Sequence, residues 1–140
     1  MAIRKQTFSL RVNPQTISRL TTQADRAGEA KTNLAERYLD ESVRMVDHRG
    51  IVFHDGPAGR YPALAGTRLT VWQVIETAKG EKGDVAATAA YLNVPAGLVR
   101  VALGYYSDYP EEIDRWIETN AKLAEEAEAT WTEGQERLRR

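Results

Sequence analysis

At 140 residues and 42% hydrophobic, the chain has the size of one ordinary domain or two very small ones, with enough apolar content for a core. It has no cysteine, which excludes disulfides, thiolate zinc sites and cysteine nucleophiles and fits a reducing cytoplasm, the expected location. The net charge of -1 hides an asymmetry: residues 1–50 carry nine Lys and Arg against six Asp and Glu, and the remainder ten against fourteen.

A basic beginning permits a nucleic-acid face there and a different partner further on. No apolar run approaches the ~20 residues of a membrane span. The N-terminus has charge without a following apolar stretch, so no secretory signal is expected.

The stretch Thr7-Phe8-Ser9-Leu10-Arg11-Val12 alternates without exception. In a strand, Phe8, Leu10 and Val12 share one face and Thr7, Ser9 and Arg11 the other. A lone strand of this length is unstable, and helical signals rather than a matching strand follow it. Its partner is expected from a second copy of the chain. An amphipathic edge with a solvated polar face is the other reading of the same pattern.

Asn13-Pro14 is an N-cap followed by proline at the first helical position. Ile17, Leu20, Ala24 and Ala27 then recur at helical spacing until Gly28, giving a helix over about 14–27. Thr32 can cap a second helix reaching about Asp47, with Leu34, Ala35, Tyr38, Leu39, Ser42, Val43 and Val46 as its apolar stripe. A strand and two helices in under 50 residues bury too little to fold alone, so pairing of two copies is expected.

This order of elements over residues 4–47 resembles the ribbon-helix-helix family of DNA-binding proteins. The resemblance implies an antiparallel ribbon of two chains entering the DNA major groove. It implies base contacts from Thr7, Ser9 and Arg11. It implies phosphate contacts from Lys5 and from Lys31, Thr32 and Asn33 at the start of the second helix, where a helix N-terminus favours an anion. The shared dimer core would hold Phe8, Leu10, Val12, Leu34 and Tyr38.

Further on, Ile51–His54 reads as a short strand, Asp55–Gly59 as a turn, and Tyr61–Leu64 as a return strand that Pro62 confines to an edge. The turn lacks the spacing of a phosphate loop. His48 and His54, beside Asp47 and Asp55, make no recognised metal spacing. Thr70 and Gln73 form a capping-box pair opening a helix through Val71, Val74, Ile75 and Ala78 to about Gly80. Asp84 can cap a second helix with Val85, Ala89 and Leu92 inward, broken at Asn93-Val94-Pro95. A third follows from about Ala96, carrying Leu98, Val99, Ala102, Leu103 and Tyr106. Arg100 is the only basic residue of this third helix, so the bundle reads as a packing or protein-contact unit more than a DNA reader.

Gly66, Thr67, Arg68, Leu69 and Val71, then Tyr105, Tyr106, Glu112 and Ile113, resemble the marks of a family of small helical antitoxin domains encoded beside PIN-like toxins. The match spans about residues 50–114, with Thr70 where the family usually has proline. Together the two resemblances imply a VapB-like type II antitoxin: a homodimeric repressor that binds palindromic half-sites in its own operator and neutralises a PIN-like ribonuclease. A stand-alone ribbon-helix-helix regulator with a sensing or oligomerisation domain is the alternative.

From Pro110 the chain reads as one long helix with acids in its first turn and a thin stripe of Ile113, Trp116, Ile117, Ala121, Ala124, Ala127 and Trp131. Gly134 is expected to break it. Between Glu118 and Glu136 stand six acids and one base, Lys122. This is either a solvated helix or a partner helix with Trp116, Leu123 and Trp131 as toxin contacts.

The expected fold is mainly α with short β (α+β). Residues 1–49 form a ribbon-helix-helix domain, 50–110 a hairpin with a three-helix unit, and 111–140 an acidic helix. No nucleophile–base pairing, metal spacing or cofactor loop is present. Neither an enzyme nor a cofactor is expected.

Overall fold

The computed structural model describes residues 4–140. The chain forms two compact units, one ending at Val43 and the other spanning Arg44–Arg140. The expected boundary after residue 49 falls instead inside a helix. From Arg44 on, the chain is hydrogen-bonded to distant elements, Arg44 to Tyr105 and His48 to Asp108.

In the first unit, residues 4–13 belong to no helix or strand. The alternating stretch 7–12, expected as a strand, thus forms none among the described residues; a single strand of this length has no stability without a paired strand. Helix α1 (Pro14–Ala27) follows the local signals closely. The Gln15 N–H donates to Asn13 Oδ1 at 2.8 Å, Pro14 sits at the first position, and Gly28 ends the helix at φ 66°. Helix α2 (Lys31–Asp47) begins one residue before Thr32, so Thr32 lies inside the first turn and does not cap it. Among the described residues, Ala24 and Leu34 are the buried apolar residues of this unit.

The second unit opens with a hairpin, β1 (Ile51–Gly56) and β2 (Gly59–Leu64), paired antiparallel with Phe53 opposite Pro62. Proline is tolerated because each strand of a two-stranded ribbon has a free edge. Helix α3 (Val71–Gly80) carries the full capping box, with Gln73 N–H donating to Thr70 Oγ1 and Thr70 N–H to Gln73 Oε1. Asp84 caps α4 (Val85–Leu92) through the Ala87 N–H, and Asn93 closes it in the left-handed conformation. Helix α5 (Ala96–Asp108) and helix α6 (Pro110–Leu138) complete the chain.

Ile51, Leu64, Val71, Val74, Ile75, Val99, Ala102, Tyr105 and Ile113 make one continuous core. Each fully buried aliphatic side chain is worth about 1.5–3 kcal/mol over leaving it exposed. The start of α6 is part of this core: Ile113 is fully buried and Ile117 packs against it. The rest of α6 runs on as exposed helix, through Gly134, to Leu138. A mid-helix glycine costs about 1 kcal/mol relative to alanine, less than the helix-forming Ala, Glu, Gln and Arg around it supply together.

Among the described residues, no single helix is long and apolar enough to cross a membrane. Helices α4 and α5 pass that test only as a pair bent by 115°, and their apolar residues Ala89, Val99 and Ala102 are spent on the core.

Candidate nucleic-acid interface and partner surface

In the first unit, Thr7, Ser9 and Arg11 are all exposed. So are the apolar residues between them: Phe8 is 73% and Leu10 64% accessible, and Val12 is also exposed. Ile17 of α1 and Tyr38, Leu39 and Val43 of α2 are exposed as well. Of the five residues expected in a dimer core, the single chain buries Leu34 alone. The single chain therefore leaves these large apolar side chains in contact with water.

Lys31, Thr32 and Asn33 are exposed in the first turn of α2. The Leu34 N–H donates to Ala30 O at 3.1 Å, so the three N–H groups before it precede the helical ladder, where an anion is favoured. Lys5, expected on phosphate, meets Glu36 at 2.7 Å in an exposed ion pair. Pairs of that kind are worth little and exchange readily. The linker between α1 and α2 is fastened by Glu29, which takes two hydrogen bonds from Arg37, at 2.7 and 2.9 Å.

The second unit holds a polar network that sequence spacing does not reveal. Arg44 donates to the Tyr105 hydroxyl at 2.8 Å and to Glu112, and the hydroxyl donates to Glu112 Oε1 at 3.0 Å. The Arg44 guanidinium lies 4.0 Å from the Tyr109 ring centre. His48 meets Asp108 at 2.7 Å and stands edge-on to the Tyr105 and Tyr109 rings. Burial works against the Arg44 charge. The hydrogen bonds to Glu112 and Tyr105 outweigh it and hold the guanidinium above its ordinary value. Burial, and then the charge of Glu112, push the Tyr105 hydroxyl up, so it remains a proton donor. The three groups satisfy one another, which makes the cluster a joint tying the end of α2 to α5 and α6. Tyr105 and Glu112 were marked by family resemblance; Arg44 carried no signal of its own.

The Gly66–Val71 element is a built turn. The Thr67 hydroxyl donates to Leu64 O at 2.9 Å and accepts from the Leu69 N–H at 3.0 Å, while the Leu64 N–H donates to Leu69 O. Gly66, at φ 76°, supplies the left-handed step. Arg68 is exposed and lines an open cleft of about 470 Å³ with His54, Asp55, Tyr61 and Thr67. On the bundle's other side, Lys79 and the Tyr106 hydroxyl both donate to Asp114, at 2.9 and 2.8 Å.

The three expected toxin contacts separate. Trp116 is half-buried, stacked on Trp72 with ring centres 5.1 Å apart and edge-on to Tyr61. It is occupied within its own chain and is not a free anchor. Leu123 and Trp131 are exposed. Leu123 lines a second cleft, of about 170 Å³, with Pro57, Tyr61, Trp72, Trp116 and Asn120. Among the described residues, no three His, Asp or Glu side chains gather into a set able to hold a metal ion.

No family model matches the chain, and no curated protein matches it. Among solved structures, the chain is similar to a DUF433 member protein from Anabaena variabilis, at 23% identity and TM-score 0.42, over 76% of this chain and 99% of that one.

Proposed function

We propose that the chain is the antitoxin of a type II toxin–antitoxin pair. Two copies join through the 7–12 stretch and α2 and bind their own operator. Thr7, Ser9 and Arg11 read bases, and the first turn of α2 takes a phosphate. The C-terminal half holds a PIN-like ribonuclease toxin.

One observation carries the DNA half of this reading. Phe8, Leu10, Tyr38, Leu39 and Val43 are exposed on a unit whose two helices are otherwise well formed. A second copy laid on that face would cover them, and pairing of the two 7–12 stretches would turn Thr7, Ser9 and Arg11 outward on one ribbon face. For the toxin half, the support is the exposed acidic length of α6 with Leu123 and Trp131.

Two measurements test it. Co-expression with the adjacent gene, followed by a mass of what co-purifies, should return a complex; a harmless neighbour that binds nothing would leave the stand-alone regulator. Against the operator, Arg11→Ala should lose about 1–3 kcal/mol of discrimination at one base pair per half-site. Unchanged binding by this variant would overturn the ribbon.

A further inference from the structure

We propose that the open cleft around Arg68 is a binding site for a phosphate group, free or as a monoester. Its lining has more hydrogen-bond donors than acceptors. His54 comes from β1, Tyr61 from β2, Arg68 from the turn before α3, and Thr70 from the cap of α3. Thr70 says the most. It is 7% accessible, and its Oγ1 accepts from the Gln73 N–H at 3.2 Å. Its own hydroxyl proton meets no acceptor among the described residues. A buried donor without an acceptor is costly, and a ligand that brings one is favoured there.

The other donors are also unused. Among the described residues, Arg68 makes no hydrogen bond or ion pair, and neither the His54 ring nitrogens nor the Tyr61 hydroxyl make a hydrogen bond. The Thr67 hydroxyl, by contrast, is spent inside the turn that carries Arg68. The Tyr61 ring is held in place: it stands edge-on to Trp72 with ring centres 5.4 Å apart. A Cβ built on Gly56 would fall 2.9 Å from Tyr61 Cε1, so glycine there leaves the ring its space.

Charge points the same way. Residues 51–140 are acidic overall, with ten Lys and Arg against fourteen Asp and Glu. The cleft is not. Its one acid, Asp55, is ion-paired with Arg60 at 3.2 Å, which leaves the charge of Arg68 unanswered. An oxyanion supplies acceptors and negative charge together. A carboxylate has two oxygens, which one guanidinium fork can occupy. A phosphate has three or more strong acceptor oxygens, enough to meet Arg68 and still take hydrogen bonds from Thr70, Tyr61 and His54. The cleft, about 470 Å³, also has room for the group bearing the phosphate, with Tyr61 and Ala63 as its apolar wall. This site is independent of the antitoxin reading.

The test is calorimetric titration of the full chain with phenyl phosphate, inorganic phosphate and benzoate. Phenyl phosphate should bind, and benzoate should bind much more weakly. Arg68→Ala should weaken phenyl phosphate about tenfold or more. Arg68→Lys, which keeps the charge and loses the fork, should weaken it less. Tyr61→Phe, which deletes one donor and keeps the ring, should also weaken it. Arg100→Ala, at an exposed arginine of α5 outside the cleft, should change nothing. Inorganic phosphate bound as tightly as phenyl phosphate keeps the site and makes the free ion its ligand. Failure of both phosphates to bind overturns the proposal. So does benzoate bound as tightly as phenyl phosphate, or an equal loss from Arg68→Ala and Arg100→Ala, which would reduce the effect to general attraction between charges.

Discussion

Among the described residues, the second unit buries Ile51, Ala63, Leu64, Val71, Val74, Ile75, Ala78, Ala89, Val99, Ala102, Tyr105 and Ile113, while the first buries only Ala24 and Leu34 of its apolar residues. The helices of the first unit are no worse made: α1 has a side-chain cap, proline at its first position and a left-handed glycine at its end. What differs is the origin of their order. In the first unit, local chemistry shapes the helices and leaves an apolar face uncovered. In the second, packing between distant segments fixes each element. On the proposed pairing, the first unit completes its core by association and its stability rises with protein concentration; the core of the second is built within one chain.

The largest expected effect breaks the comparison from the first unit's side. Phe8→Asp places a charge where the second copy should sit, and it should abolish pairing through the first unit and operator binding with it. All three tryptophans, Trp72, Trp116 and Trp131, lie in the second unit. Tryptophan fluorescence therefore follows that unit, while far-ultraviolet circular dichroism follows both. The variant should lower the thermal transition seen by circular dichroism and leave the fluorescence transition in place. A joint shift of both signals would mean that the units unfold as one.

Ile113→Ala attacks the other side. Ile113 is fully buried where α6 enters the core, and truncating such a residue costs about 2–5 kcal/mol. Denaturant titration followed by fluorescence should show that loss at every protein concentration. Leu39→Ala, on the exposed face of α2, should leave the fluorescence transition unmoved.

Next in size is the Arg44 joint. Glu112→Ala removes the acceptor shared by Arg44 and Tyr105 and should cost about 1.5–3 kcal/mol, the range for hydrogen bonds to charged groups. Tyr105→Phe keeps the ring in the core and the Arg44–Glu112 pair, and should cost about 0.5–1.5 kcal/mol. Equal losses for the two would mean that packing of the ring, not the carboxylate, holds the end of α2.

These contrasts also explain what could be read from the sequence. Asn13, Gly28, the Thr70–Gln73 box and Asp84 act over two to four residues, so their helices were legible. So was the hairpin, whose strands lie side by side in sequence. Arg44 finds Tyr105 and Glu112 across 61 and 68 residues, and Trp72 finds Trp116 more than forty residues on; no periodicity encodes such meetings. Trp116 read as a free anchor because its stripe position shows only that it faces something apolar, not that the cover is in the same chain. Thr32 misled in a different way, since a residue type that favours caps is also tolerated within the first turn. The 7–12 alternation remains a pattern whose pairing one chain cannot display.

The smallest effect concerns pH and sharpens the contrast within the second unit, between its core and its surface. The hydrogen bond from Lys79, and then that from Tyr106, hold the Asp114 carboxyl below its ordinary value. A carboxyl depressed in the folded state binds its proton more weakly there than in the unfolded chain. Its contribution is therefore complete above the ordinary aspartate value, about pH 4, and fades as pH falls through the lower folded value. Asp114→Asn should accordingly flatten the acid side of the fluorescence-detected stability curve below about pH 4 and change little at neutral pH, because exposed ion pairs contribute little there. If the acid side keeps its slope, the slope belongs to a different carboxylate.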